Sequence, residues 1–270
     1  MKRIFSGRDE IRFDESARAA AEEVAAALPE IRKKGEEIAK CEVPGSIFIV
    51  ISERPPHTYH IYRIRPFRLI FLVAVFLLAL SYPFWSLATT GIIIYLGFVY
   101  WLYVFRTLQA HWKYAGGWAI SGPGFKPAIA LHWPWPERAP AMAALALPRT
   151  NPEALRMVLA HEYAHCLLGA IREGARVIAW LDEGFAFWFM EQATGLDAWK
   201  PESRTCVEEP EPKDDPRLVM KITDEGYIRL MARYYWEVKA LADEGKLLEV
   251  LTASKRDLAR LRPKLRAEDL

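Results

Sequence analysis

Two histidines and two carboxylates in the second half of the chain have the types and spacing that metal chemistry needs. His161 and His165 stand one helical turn apart, so on a helix they project from one face and can share one ion. Glu162 follows the first histidine directly and sets a carboxylate beside any water held there. Glu183, in the segment Trp180-Leu181-Asp182-Glu183-Gly184-Phe185-Ala186-Phe187-Trp188, lies far enough along for the chain to turn back and offer a third ligand. Two imidazoles and a carboxylate leave the fourth corner of a tetrahedral zinc to water, the ligand set of a catalytic rather than a structural site.

Two helices have to position these groups. For the first, Asn151 is a cap, Pro152 suits the first helical position, and the Glu153 carboxylate favours the positive end of the dipole. Leu155, Val158 and Leu159 supply an apolar stripe, and Gly169 offers a stop. The second helix is the apolar segment around Glu183. Asp182 turns away from Glu183 on that helix, which makes it a hydrogen-bond partner or cap rather than a ligand.

The pair of motifs, His161-Glu162-x-x-His165 followed by Trp180-Leu181-Asp182-Glu183-Gly184-Phe185-Ala186, resembles the gluzincin metallopeptidases. The likeness is greatest to the aminopeptidase N-like group and to small peptidase MA-like domains, and it covers roughly residues 150 to 250. It implies that His161, His165 and Glu183 bind zinc and that Glu162 is the general base. A tyrosine at the start of a helix beyond the glutamate ligand assists in that group. Tyr227 is the nearest match, with Tyr234 and Tyr235 as alternatives. The gap between His165 and Glu183 is shorter by one residue than in most aminopeptidases of the group. Their Gly-Ala-Met-Glu-Asn strand motif, whose glutamate holds a substrate amino terminus, is also missing: Gly116-Gly117-Trp118-Ala119 has no carboxylate. An endopeptidase is therefore at least as much implied as an aminopeptidase.

Composition narrows the classes further. A chain of 270 residues can bury one good core or two modest ones. A formal charge of +2 is too small to argue for nucleic acid as a partner, and no basic stripe with interleaved aromatics appears, so none is expected. Cys41, Cys166 and Cys206 are odd in number and widely spaced, as suits a reducing compartment. The stretch Met1 to Glu10 lacks the apolar core of a signal peptide.

In chain order, residues Asp14 to Leu28 are helix formers, and Pro29 is expected to break them from a second surface helix, Glu30 to Lys40. Ser46 to Ser52 reads as a strand buried on both faces. Ala115 to Ile120 and Ala128 to Trp133 read as strands about a Gly and Pro turn, and the resemblance implies that a strand edge just before the metal helix can hold an extended substrate by backbone pairing. His132 is expected to be a surface or packing residue rather than a metal ligand. Trp199 to Arg217, rich in proline and acids, reads as a solvated loop and a candidate flap beside the site. Helices follow at Asp224 to Glu244 and Leu247 to Leu258.

Between Arg68 and Arg106 there is no charged residue and no histidine. Arms of about 14 and about 19 residues flank Pro83, which predicts a two-helix transmembrane hairpin with both ends toward the cytoplasm, given Arg63, Arg65, Arg68, Arg106 and Lys113 on its flanks.

The expected architecture is thus α+β: a zincin-like domain with a small sheet, the His161-to-His165 helix and a helical C-terminal part. Residues 1–66 and 107–270 form that domain, and 67–106 are an inserted membrane hairpin. The expected function is a membrane-anchored zinc metallopeptidase acting on a peptide or protein, integral to the bilayer, with its catalytic domain cytoplasmic. The rival reading is an inactive zincin-fold membrane adaptor that binds a peptide or protein partner.

Overall fold

The computed structural model describes residues 1–40, 45–53, 116–121, 126–134, 151–173, 177–220 and 224–266. They form a mixed α/β fold with one small sheet and several helices. The five strands are β1 (Lys2–Ser6), β2 (Asp9–Phe13), β3 (Phe48–Ser52), β4 (Gly117–Ile120) and β5 (Ala128–His132), in the order β1-β2-β3-β5-β4. The central pairings, β2 with β3 and β3 with β5, are parallel; the outer ones are antiparallel. This places β4 at a sheet edge, paired to β5 with Trp118 opposite Ala130.

The β1–β2 hairpin is an addition to the strands expected from sequence. It turns at Gly7, whose φ of +58° suits a residue without a side chain. Ile11 and Phe13 alternate with Arg12 and fill the core. Strands β3 and β5 are buried along their whole length, as expected for central strands. One face carries Ile49, Ile51, Ile129 and Leu131 into the main core, and the other carries Phe48, Val50, Ala128 and Ala130 against Trp118.

Helix α1 (Arg18–Ala39) runs through Pro29 without a break, contrary to the two surface helices expected. Leu28 and Ile31 are both buried and continue the stripe of Ala20, Ala21, Val24 and Ala27, so packing outweighs the hydrogen bond that Pro29 removes. Helices α2 (Pro152–Ile171) and α3 (Ala179–Thr194) follow, then a 3-10 helix (Pro201–Glu208), α4 (Pro216–Val219), α5 (Glu225–Asp243), α6 (Leu247–Thr252) and α7 (Lys255–Leu261). The single helix expected over 247–258 is two, because the Ser254 side chain accepts from Asp257 N and starts a new helix.

The structure does not bear out the membrane hairpin. Among the described residues no helix is long and apolar enough to cross a membrane. Helix α1, with 22 residues, has the length but carries acids and bases along one face, and α2, with 20, holds Glu153, Arg156 and the histidine motif. The stretch 67–106, to which the hairpin was assigned, lies outside the described residues. The transmembrane hairpin and the integral-membrane placement are therefore not supported.

Candidate metal centre

Helix α2 begins as its sequence requires: Asn151 Oδ1 accepts from Glu153 N at 2.7 Å, with Pro152 in the first turn. It ends at Ile171 rather than at Gly169. Gly169 serves another purpose, since a Cβ there would stand 2.6 Å from the Ser121 Cβ. Ser121, just past β4, donates through Oγ to His165 O at 3.0 Å and fastens the edge strand to the histidine turn.

Helix α3 lies against α2, with Tyr163 stacked on Phe189 at 5.8 Å between ring centres. On its other side α3 meets α5 closely, because a Cβ on Gly184 would lie 2.3 Å from Tyr234 O. The glycine after Glu183 therefore lets α5 approach the site.

The three expected ligands converge. Nε2 of His161 and Nε2 of His165 are 3.3 Å apart, and Glu183 Oε2 lies 3.7 Å from the first and 4.0 Å from the second. A tetrahedral zinc with bonds of about 2.0–2.1 Å would set its donors roughly 3.3–3.4 Å apart. The histidine pair already matches such an edge, and a shift of roughly half an ångström at Glu183 completes the triangle. His161, His165 and Glu183 thus form a group able to hold a metal ion, and all three are half-buried. His132, buried on β5, is not among the converging atoms.

Local charges favour a cation. Burial works against charge on His165, yet Asp182, by its charge and its hydrogen bond, together with Glu183 and Glu162, raises its pKa to about 10. Burial likewise opposes ionisation of Glu183, and the two imidazoles still hold its carboxyl below the usual range. Glu162 is 6% exposed and sits beside the ligands without joining them. Burial raises its pKa, with His161 and His165 opposing, the direction that makes a carboxylate a stronger base.

Asp182 takes the role expected of it. His165 Nδ1–H donates to Asp182 Oδ1 at 2.7 Å, which fixes the tautomer that presents Nε2 to a metal. His161 has no such support: its buried Nδ1 is without a hydrogen-bond partner among the described residues, and the ring meets Phe187 edge-on at 4.5 Å.

The three candidate tyrosines separate. Tyr234 OH donates to Glu211 at 2.6 Å, and Tyr235 OH donates to Glu191. Tyr227, at the start of α5, is the one whose pKa is raised first by burial and then by the nearby charge of Glu183.

A further contributor comes from outside the motifs. Arg217, within the stretch expected as solvated loop, donates through Nη1 to Asp182 Oδ2 at 2.5 Å. Asp215-Pro216 signals a helix start and does cap α4, but nothing local says where the following arginine reaches. Part of that loop is itself folded, with Cys206 and Val207 buried in the 3-10 helix.

Comparison with family models, with curated proteins and with solved structures finds no significant match to this chain.

Proposed function

We propose that this chain is a zinc-dependent metallopeptidase of the gluzincin type, acting on peptide bonds within a chain at least as readily as at an amino terminus. The observation that carries this reading is the approach of His161, His165 and Glu183 to tetrahedral spacing with the buried Glu162 carboxylate beside them. When bound, zinc supplies a Lewis acid that polarises a carbonyl and acidifies water to a pKa of about 7.

The chain's own residues do the rest. Glu162 takes a proton from the attacking water and passes it to the leaving amine. Tyr227 keeps its proton at neutral pH and serves as a hydrogen-bond donor to the developing oxyanion. Strand β4, at the edge of the described sheet and fastened to α2 through Ser121, offers backbone groups to an extended substrate. Gly116 to Ala119, at and just before its start, bring no carboxylate to hold a free amino group, which favours internal cleavage.

The test combines metal content with turnover. The purified full chain is expected to hold about one zinc per chain, His165→Ala to lose it, and Glu162→Gln to keep it while losing hydrolysis of a peptide library. Metal without turnover in the wild type would replace this reading with a peptide-binding adaptor. Absence of metal would end it.

A further inference from the structure

Arg217 is tied to two places at once. Its Nε donates to Asp215 Oδ1 at 3.0 Å and its Nη2 to Asp215 Oδ2 at 2.8 Å, while its backbone N also donates to Asp215 Oδ1 at 3.0 Å. Nη2 also reaches Val177 O, just ahead of α3, at 3.4 Å. Nη1 is left to meet Asp182. Asp182 in turn has its two oxygens divided: Oδ2 accepts from Arg217 and Oδ1 from His165 Nδ1. A carboxylate held at both oxygens has its plane set, and with it the orientation of the imidazole.

From this chain of contacts we propose that Arg217 is a positioning residue of the metal centre, acting through Asp182 on the orientation and tautomer of His165. The proposal rests on the reading of His161, His165 and Glu183 as metal ligands. A guanidinium suits the task because its rigid fork can clasp Asp215 with one edge while the remaining nitrogen points at Asp182. The Asp215–Arg217 segment thereby does more than connect α3 to α5. It braces the face of His165 opposite the ligand atom.

The experiment titrates the metal-free full chain with zinc against a chromophoric chelator. Wild type is compared with Arg217→Gln, Arg217→Lys, Asp182→Asn and the Arg217→Gln/Asp182→Asn double variant, and metal-free melting temperatures are recorded alongside. Loss of such a bracing partner weakens metal affinity by about 10- to 100-fold. That loss is expected for Arg217→Gln, with partial rescue in Arg217→Lys and no further loss in the double variant. A visible spectrum of the cobalt-loaded protein should shift in Arg217→Gln, which a role confined to stability would not produce.

Should Arg217→Gln fail to fold, Asp215→Asn keeps the guanidinium but loosens its anchor, and is expected to weaken zinc binding by a smaller factor. Zinc affinity within about twofold of wild type in the folded variants, well short of the usual loss for such partners, would overturn the proposal, as would additive losses in the double variant. A wild type that takes up no zinc removes the metal-centre reading itself, an outcome told apart by the first titration alone.

Discussion

Gly117 on β4 and Glu162 on α2 are packed so closely that a Cβ on the glycine would stand 2.7 Å from Glu162 Cγ and 2.9 Å from its Oε1. The strand edge thus passes the carboxylate at backbone distance, and no other residue type fits there without displacing it. The same Cβ would also stand 2.8 Å from Val158 Cγ1, one turn before Glu162 on α2, so a side chain here would press on both residues.

Gly117→Ala is therefore expected to push Glu162 out of line and leave the three ligands alone. A misplacement of about 1 Å costs on the order of 100-fold in rate. Peptide turnover should fall by about that factor while zinc stoichiometry stays unchanged. Unaltered turnover would mean that Glu162 is not held where base catalysis needs it.

The His165 contacts predict how the metal-free chain responds to pH. Its folded pKa of about 10 is raised above the ordinary 6.5, against the effect of burial, by Asp182, Glu183 and Glu162. The protonated form therefore stabilises the fold fully below about pH 6.5, and this contribution is lost as pH rises toward 10. The metal-free melting temperature should drop across that window. His165→Gln should flatten the drop, and zinc, which needs the unprotonated imidazole, should remove it and release a proton on binding. Equal slopes in the metal-free and zinc-loaded chains would contradict the assignment.

The parts of the centre that rest on local pattern were legible in the sequence, and those that rest on distant contacts were not. Asn151, Pro152 and the i,i+4 histidines announce a helix and a shared face, and Glu183 follows in a second apolar run. Gly169 does not stop its helix but admits Ser121, 48 residues earlier in the chain, a contact that local pattern does not signal. Pro29 does not break α1 because its neighbours Leu28 and Ile31 are both claimed by the core. The β1–β2 hairpin is weakly signalled although Ile11 and Phe13 alternate with charges, since charged strands of five residues give little periodic signal. Arg217 meets Asp182 across 35 residues, a relationship that no spacing rule encodes.

The N-terminal hairpin, α1 and β3 are joined at a single carboxylate. Asp9, 1% exposed, accepts from Arg32 Nε and Nη2, both at 2.6 Å, and from Ile47 N at 2.6 Å, while Arg32 also donates to Gly45 O at 3.0 Å. Asp9→Ala leaves the guanidinium and the Ile47 amide without this partner in a poorly solvated place. Removing one member of such a buried pair costs about 3–5 kcal/mol. Urea unfolding of the full chain should report a loss in that range, with zinc affinity little changed because α2 and α3 do not touch Asp9 through any of these bonds. A loss below about 1 kcal/mol would class the cluster with surface ion pairs.

Tyr227 and Tyr234 lie on one helix and make opposite predictions. The Tyr234 hydroxyl is committed to Glu211, and a hydrogen bond to a charged group contributes about 1.5–3 kcal/mol, so Tyr234→Phe should lower stability and leave turnover per folded molecule near wild type. Tyr227 is not so engaged by any described bond, and burial together with the Glu183 charge keeps its proton in place through neutral pH. Removing one donor to an oxyanion costs about 10²–10³ in kcat, so Tyr227→Phe should lower kcat by that order with KM and zinc content little altered. The comparison is internal to α5 and controls for general damage to the helix. If both variants lose turnover in proportion to their loss of stability, Tyr227 is a packing residue and the oxyanion donor has to be sought elsewhere in the site.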